Sequence, residues 1–343
     1  MNHTPFMQRC LQLASQGLGK VAPNPMVGCV IMHDGKIIGE GYHQQFGGPH
    51  AEVNAINSVM DAELLKQSTL YVNLEPCSHY GKTPPCADLI LQKKIPRVVV
   101  AGYDPNPLVA GKGIARLKEA GVEVITEVLR TEADFLNRRF MTFHTKQRPY
   151  LILKWAQSAD GFMGLNEPRQ FWFTNDEAKQ LMHKWRTEEP GILVGRNTVT
   201  VDDPELTARL WQGKNPVRIV LDKNLSLPAN KKIFNALADT VVLNAVKDAT
   251  EKNIRYVKID FAQEVLPQLR QHLYNLQIQS VMIEGGAETL KHFIAANLWD
   301  EARIFSTPHV LQQGKSAPAL NGKLLEETQL EDNLLQVYLN TAS

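Results

Sequence analysis

Two short segments in the N-terminal half of the chain contain the residue types that bind zinc, with a carboxylate beside them. His50 is followed two positions later by Glu52, and Cys77 is followed nine positions later by Cys86. Zinc prefers cysteine thiolates and imidazole nitrogens, and three protein ligands leave its fourth tetrahedral position open to water. Because zinc lowers the pKa of bound water towards neutral, such a site is hydrolytic. The pattern predicts His50, Cys77 and Cys86 as metal ligands.

The carboxylate between these ligands has its own predicted role. A hydrolytic deaminase needs a group that moves a proton from water to the leaving amine, and Glu52 is the predicted catalytic residue. H-x-E followed by P-C-x-x-C is typical of zinc nucleobase deaminases. Here eight residues separate Pro76-Cys77 from Cys86. Taken singly, His50 is also typical of a core histidine and Cys77 of an inert thiol. A closed structural zinc site would need His79 as its fourth ligand.

Strands and helices alternate around these residues. Cys29 to Met32 and Lys36 to Gly41 flank an Asp-Gly turn and predict a hairpin. Helices are predicted from His50 to about Met60 and from Cys86 to about Lys93, and a buried strand from Thr69 to Leu74. Two ligands therefore begin helices, where the helix dipole favours a thiolate. The alternation predicts an α/β fold with a partly parallel sheet.

The alternation resumes after a hinge at Lys146 to Pro149, which follows a helix-like segment from Asp134 to His144. We therefore predict two domains, residues 1–146 and 147–343. A strand from Val281 to Glu284 leads through two glycines towards a helix, an arrangement that exposes N–H groups to a phosphate. A G-x-G-x-x-G motif is missing, so a Rossmann domain has no support. Further strands are predicted at 150–155, 191–195, 217–222, 240–244 and 302–306.

Composition excludes several classes of protein. Lys plus Arg number 37 and Asp plus Glu 36, so no strong field would attract nucleic acid or a membrane surface. No apolar stretch approaches the length of a membrane span. Four cysteines in so long a chain favour metal ligands and free thiols over disulfides, and Cys10 and Cys29 are predicted to be buried thiols. We expect a cytoplasmic enzyme with a small-molecule substrate, and a homodimer on general grounds.

The loop before Cys86 carries a specific resemblance. Glu75-Pro76-Cys77-Ser78-His79 and the residues up to Cys86 resemble the E-P-C-S-H-x-G-x-T-P-P-C segment of the bifunctional riboflavin-biosynthesis enzymes of bacteria. These join a diaminohydroxyphosphoribosylaminopyrimidine deaminase to a 5-amino-6-(5-phosphoribosylamino)uracil reductase. The segments at 23–28, 39–43, 104–107 and 111–113 are similar to the same family. The resemblance implies a cytidine-deaminase-like three-layer α/β/α domain, in which the substrate pocket is lined by Asn24, His43, His79 and Lys82.

The second half resembles the reductase half of that family. Ser158 to Gly161, Gly195 to Thr198 and Val201 to Arg209 carry the likeness. It implies a dihydrofolate-reductase-like α/β domain that uses NADPH. The residues it implies for NADPH are Gln157, Trp172, Thr198, Asp202, Lys223, Gly286, Ala287, Glu288, Thr289, Leu290, Lys291 and His292. Those it implies for the substrate are Gln170, Arg186, Leu206, Arg209 and Glu284.

Some positions depart from the family, and some have simpler interpretations. Gln170 stands where a serine is expected, Gly164 where alanine is common, and Lys223 where a small polar residue is usual. Arg186 and Lys82 would also suit solvated surface charges. The remaining alternatives are a turn residue for Asn24, a core aromatic for Trp172 and a turn cap for Asp202.

Two other functions are compatible with parts of the pattern. One is a deaminase of cytidine or of tRNA adenosine with an unrelated appendage. The balanced charge disfavours a nucleic-acid substrate. A comparison of the rates of ammonia release from cytidine and from the phosphoribosylpyrimidine would separate the two deaminase activities. The other is a C-terminal half that serves only for binding or dimerisation, which titration with NADPH would test.

Overall fold

The computed structural model describes residues 2–78, 84–106, 110–167 and 173–342. Its internal contacts divide the chain into two units, Met1–Gln147 and Arg148–Ser343. The division falls within the hinge that the sequence indicates at Lys146 to Pro149. Within the described ranges, no helix is long and apolar enough to cross a membrane.

The first unit contains five strands and six α-helices among its described residues. In chain order these are α1 (Thr4–Ser15), β1 (Gly28–His33), β2 (Lys36–Tyr42), α2 (Ala51–Asn57), β3 (Thr69–Val72), α3 (Cys86–Gln92), β4 (Arg97–Val100), α4 (Lys112–Glu119), β5 (Glu123–Ile125), α5 (Arg130–Leu136) and α6 (Arg138–Lys146). The predicted hairpin is confirmed, since β1 and β2 pair in antiparallel register. A short 3-10 helix at Ala62–Gln67 precedes β3.

The five strands form one mixed sheet in the order β2-β1-β3-β4-β5. Strands β3, β4 and β5 are parallel, and β1 is antiparallel to β3. Successive side chains point to opposite faces of a strand. In β1, Ile31 packs in a core cluster with Ala55 of α2, whereas Met32 packs in another with Met7 of α1. Helices thus cover both faces, as the three-layer prediction requires. The predicted burial of Cys10 and Cys29 is also confirmed.

The helix-like segment at 134–144 is divided in the structure. α5 ends at Leu136 and α6 begins at Arg138, with Asn137 between them at φ −92°, ψ 20°. The buried Asn137 amide accepts a hydrogen bond from the Met26 N–H at 2.8 Å and donates to the Met26 carbonyl at 2.9 Å. The helix is thus interrupted at Asn137, where the side chain bonds to a segment distant in sequence. The hydrophobic periodicity of residues 134–144 did not indicate this interruption.

The second unit is built on one long sheet. Its strands are β6 (Tyr150–Gln157), β7 (Phe162–Gly164), β8 (Gly191–Gly195), β9 (Val217–Leu221), β10 (Thr240–Asn244), β11 (Ala249–Glu251), β12 (Ile254–Lys258), β13 (Ser280–Ile283), β14 (Glu301–Ser306), β15 (Lys315–Ser316), β16 (Lys323–Leu330) and β17 (Asn333–Leu339). Its helices are α7 (Asp176–Glu188), α8 (Arg196–Asp202), α9 (Val265–Asn275) and α10 (Ala287–Ala295).

Ten of these strands form the sheet, in the order β11-β12-β10-β9-β8-β13-β6-β14-β17-β16. The seven strands from β12 to β14 in this order are parallel. Leu273 of α9 and Phe293 of α10 pack against one face, whereas Trp185 of α7 and Val199 of α8 pack against the other. β7 and β15 form a separate ladder. The carboxyl ends of β6, β8, β9 and β13 meet at one edge, where open α/β sheets bind ligands.

Candidate active sites

The three predicted zinc ligands converge at the amino ends of two helices. His50 immediately precedes α2 in extended conformation, and Cys86 is the first residue of α3. Cys77 lies in the loop after β3, where its carbonyl accepts a hydrogen bond from the Ala87 N–H at 3.1 Å. Its sulfur accepts one from the Cys86 N–H at 3.3 Å. The first turn of α3 therefore holds Cys77 beside Cys86.

The distances between the ligand atoms suit a tetrahedral metal. His50 Nδ1 lies 3.3 Å from Cys86 Sγ and 3.5 Å from Cys77 Sγ. All three ligand atoms lie within 4.8 Å of one another. Tetrahedral bonds of about 2.0–2.1 Å to nitrogen and about 2.3 Å to sulfur give an N–S separation of about 3.6 Å. The donor set and its spacing therefore fit zinc.

The pKa values of Cys77 and Glu52 suit the same chemistry. The hydrogen bond with Cys86 and, to a smaller extent, that with His50 together lower the pKa of Cys77 to about 4, against the opposing effect of burial. Cys77 is thus a thiolate, the form that binds metals. Burial raises the pKa of Glu52 to about 7, and the charge of Cys77 contributes to the rise. A carboxyl group with this pKa can accept and return a proton near neutral pH.

Asn24 and His43 form one hydrogen-bonded chain beside His50. The His43 Nδ1 donates to the Pro49 carbonyl at 2.9 Å, and the Asn24 amide lies 3.0 Å from His43 Nε2. Burial lowers the pKa of His43, so the ring is neutral and its Nε2 accepts from Asn24. The His43 ring packs edge-on against that of His50, with centroids 5.7 Å apart. Asn24 and His43 thus lie at the predicted zinc site.

The second unit contains a cleft of about 770 Å³ at the carboxyl edge of its sheet. Many of the residues predicted to bind NADPH or the reductase substrate line it. These are Thr198, Asp202, Glu284, Gly286, Ala287, Glu288, Thr289 and Lys291. Burial raises the pKa of Asp202. The cleft opens at the amino end of α10, whose free N–H groups favour a phosphate.

Glu284, which lines this cleft, belongs to a buried ion pair. Arg186 donates from Nε and Nη2 to the two carboxylate oxygens of Glu284, at 3.1 and 2.8 Å. Its Nη1 donates to the Thr207 carbonyl at 3.1 Å. Arg186 is therefore buried, not a surface charge. Burial would raise the pKa of Glu284, but Arg186 and Lys154 together lower it, so the carboxylate is ionised.

Other predicted residues have different surroundings. Leu206 is buried and has a left-handed backbone with φ 55°, and Arg209 is exposed, with Glu205 3.8 Å from it. The Gln157 amide oxygen accepts from Trp155 Nε1 at 2.8 Å. Lys223 lies over the Phe261 ring. Leu290 packs in the hydrophobic core, and His292 is exposed on α10. His79, Lys82, Gln170 and Trp172 lie outside the described residues.

Two family models match the chain. Residues 1–102 match the zinc-binding region of cytidine and deoxycytidylate deaminases, and residues 149–341 match the RibD C-terminal domain. The riboflavin biosynthesis protein RibD of Aquifex aeolicus is 40% identical over 94% of this chain and 92% of its own length. RibD of Escherichia coli is 36% identical over 89% of this chain and 88% of its own length. The chain belongs to the RibD family.

Solved structures support this assignment over both units. The diaminohydroxyphosphoribosylaminopyrimidine deaminase/5-amino-6-(5-phosphoribosylamino)uracil reductase of Thermotoga maritima superimposes with a TM-score of 0.89 at 34% identity, covering 98% of each chain. RibD of Acinetobacter baumannii gives the same values. This RibD-family enzyme thus combines a zinc-binding, cytidine-deaminase-like domain with an NADPH-dependent reductase domain of dihydrofolate-reductase-like fold.

The reductase domain also contains an ionisable residue that the sequence analysis did not select. Lys154 of β6 lines the cleft, with its Nζ 3.3 Å from the Met182 sulfur and over the Phe305 ring. Burial lowers the pKa of Lys154, whereas the charge of Glu284 opposes this decrease. A signal was available, because a lysine inside the apolar strand YLILKWAQ is unusual and indicates a buried partner.

Proposed function

We propose that this RibD-family enzyme deaminates 2,5-diamino-6-(5-phosphoribosylamino)pyrimidin-4-one and then reduces the ribosyl group of 5-amino-6-(5-phosphoribosylamino)uracil to ribityl. The observation that carries the proposal is the cluster of His50, Cys77 and Cys86 with a buried Glu52, in a chain whose second unit contains a cleft lined by Glu284. Residues 1–146 would perform the first step and residues 147–343 the second. The Thermotoga maritima relative, which has both activities in its name, supports this assignment.

In the first step, His50, Cys77 and Cys86 would hold the zinc. When bound, zinc lowers the pKa of water and so makes it nucleophilic at neutral pH. Glu52 would take a proton from the water that attacks the amine-bearing carbon and deliver it to the ring nitrogen. It would then transfer the second proton of the water to the amine, so that a C–O bond replaces the C–N bond and ammonia leaves. We assign Asn24, His43, His79 and Lys82 to the substrate pocket. The Asn24 amide presents donors and an acceptor to a pyrimidine edge, and Lys82 provides a charge for phosphate.

In the second step, the cleft residues would hold NADPH against the substrate, and the cofactor supplies the hydride. We assign Thr198, Asp202 and residues 286–292 to NADPH, with Gln157, Trp172 and Lys223. The substrate would contact Gln170, Arg186, Leu206, Arg209 and Glu284. The exposed Arg209 is available to bind a phosphate, because the ion-pair partner of its guanidinium among the described residues is Glu205, at 3.8 Å.

A coupled assay on the purified enzyme tests both steps. With the phosphoribosylpyrimidine alone, we expect ammonia release without NADPH oxidation. When NADPH is added, we expect one equivalent to be oxidised per ammonia released. Cytidine is the control substrate, and deamination of cytidine in preference to the phosphoribosylpyrimidine would contradict the proposal. Ammonia release without NADPH binding or oxidation would instead indicate a non-catalytic C-terminal unit.

We also propose that the enzyme works in the cytoplasm and forms a homodimer. The support for a reducing compartment is that Cys10, Cys29, Cys77 and Cys86 form no disulfide in the structure. Symmetric dimers are the commonest assemblies of soluble proteins. Light scattering coupled to size-exclusion chromatography would measure the oligomer, and a monomeric mass at micromolar concentration would contradict the dimer.

A further inference from the structure

Glu75 is a buried carboxylate that lies two residues before the zinc ligand Cys77. Its side chain is only 4% exposed. Its Oε1 accepts from the N–H groups of Gly113 and Ile114 at 2.9 and 3.2 Å. Its Oε2 accepts from those of Gly111 and Asp104 at 2.8 and 3.3 Å. One carboxylate thus satisfies four backbone donors from a single stretch of chain.

Most of these donors belong to the amino end of α4, which has no cap of its own. The N-cap position is Gly111, which has φ 79° and no side chain that could accept a hydrogen bond. The first N–H groups of a helix need acceptors, and a carboxylate at this end also interacts favourably with the helix dipole. Glu75 therefore provides from another segment the cap that Gly111 cannot provide.

The amino end of α4 also packs closely against Pro76, the residue between Glu75 and Cys77. A Cβ atom added at Gly113 would lie 1.9 Å from the Pro76 carbonyl oxygen, so only glycine allows this approach. On its other side, the Glu75 N–H donates to the Gly102 carbonyl at 3.0 Å. The backbone that leads into Cys77 is thus held between the end of β4 and the start of α4.

We infer that Glu75 is a positioning residue for Cys77, which sets the place of the thiolate and so slows the loss of zinc. His50 is the N-cap residue of α2 and Cys86 is the first residue of α3, whereas Cys77 lies in the loop between β3 and α3, so its position depends on this loop. The inference rests on the proposed zinc-dependent function. It assigns Glu75 no contact with the substrate.

The test compares zinc release from the full-length wild type, Glu75→Gln and Glu75→Asp. Glutamine has nearly the same shape, but its NH₂ group would face N–H groups that need an acceptor. We expect Glu75→Gln to release zinc to a colorimetric chelator at least tenfold faster than the wild type. Aspartate keeps the charge but is shorter, so we expect partial rescue. In the cobalt-substituted protein, the thiolate-to-metal charge-transfer bands should shift in Glu75→Gln.

The matched control is Leu117→Ala, which removes a buried side chain of α4 and leaves the Glu75 hydrogen bonds in place. It should lower the thermal midpoint but release zinc at the wild-type rate. If Glu75→Gln releases zinc as slowly as Leu117→Ala, with the wild-type cobalt spectrum, the positioning role is wrong. If Glu75→Gln does not fold, Glu75→Asp becomes the test. Zinc release from Glu75→Asp at the wild-type rate would then overturn the inference. A wild type without stoichiometric zinc would refute the proposed function itself.

Discussion

Arg186 and Glu284 form a bidentate ion pair in which the side chains are only 6% and 9% exposed. They come from different parts of the reductase unit, since Arg186 lies on α7 and Glu284 directly follows β13. The planar guanidinium matches both carboxylate oxygens, which a lysine cannot do. Arg186 also donates to the carbonyl of Thr207. In the sequence, Thr207 lies between Leu206 and Arg209, which are predicted substrate contacts.

We predict that Arg186→Lys lowers the reductase kcat/KM at least 100-fold, because the fork that orients Glu284 is lost. Arg186→Met should also destabilise the reductase unit by about 3–5 kcal/mol, the usual cost of leaving a buried charge unpaired. NADPH oxidation and denaturant unfolding measure these effects. Arg270→Lys, at an exposed position of α9, is the control. Undiminished reduction by Arg186→Lys would show that the bidentate geometry is unimportant.

The same pair predicts how stability depends on pH. Because Arg186 and Lys154 lower the pKa of Glu284, this group contributes stability above its unfolded pKa of about 4.3. That contribution is lost as the pH falls through the lower pKa of the folded state. Glu284→Gln should therefore be less stable than the wild type at pH 6, and the difference should shrink below about pH 4.3. A constant difference in unfolding free energy down to pH 3 would contradict this prediction.

Glu52→Gln should reduce ammonia release by at least about 100-fold, because the proton can no longer be transferred. The variant should retain zinc, since the ligands are His50, Cys77 and Cys86. It should also reduce supplied 5-amino-6-(5-phosphoribosylamino)uracil at the wild-type rate. Removal of zinc by a chelator should likewise stop ammonia release and leave the reductase rate unchanged. Deamination near the wild-type rate in Glu52→Gln would disprove the role of Glu52.

Gly195 provides a test of the cleft, because a Cβ atom there would lie 2.6 Å from the Thr289 hydroxyl. We predict that Gly195→Ala displaces the first turn of α10 and raises the KM for NADPH about tenfold, equivalent to about 1.4 kcal/mol. Thr289→Ala removes the oxygen that would clash, so the effect of Gly195→Ala is measured both in the wild type and in Thr289→Ala. Adding Gly195→Ala to Thr289→Ala should then have a smaller effect. Equal effects in both backgrounds would exclude this clash as the cause.

Features that depend on neighbouring residues were accessible from the sequence. The Asp-Gly turn between β1 and β2 and the strand at 69–72 have local causes in turn chemistry and in runs of apolar residues. The C-terminal hairpin was not predicted. β16 reads KLLEETQL and is mostly exposed, so it shows little alternation, and its strand conformation follows from pairing with β17.

Buried polar contacts between distant segments were not accessible from the sequence. Asn137 interrupts α5 and α6 while its side chain bonds Met26, 111 residues away. Lys154 stands within an apolar strand, and only its burial beside Glu284 shows that it belongs to the cleft. Glu75 was part of the recognised E-P-C segment, yet its four backbone partners lie 29 to 39 residues further along.

The sequence by itself determined the reaction class, because zinc chemistry requires His50, Glu52, Cys77 and Cys86 as residue types at short spacings. It also determined the α/β class of both units, since periodicity and turn residues act locally. Only the tertiary structure decided how far each ligand lies from the next, which carboxylate caps α4, and that Arg186 pairs with Glu284. The physical reason is that burial, desolvation and hydrogen-bond geometry depend on segments that meet only when the chain is folded.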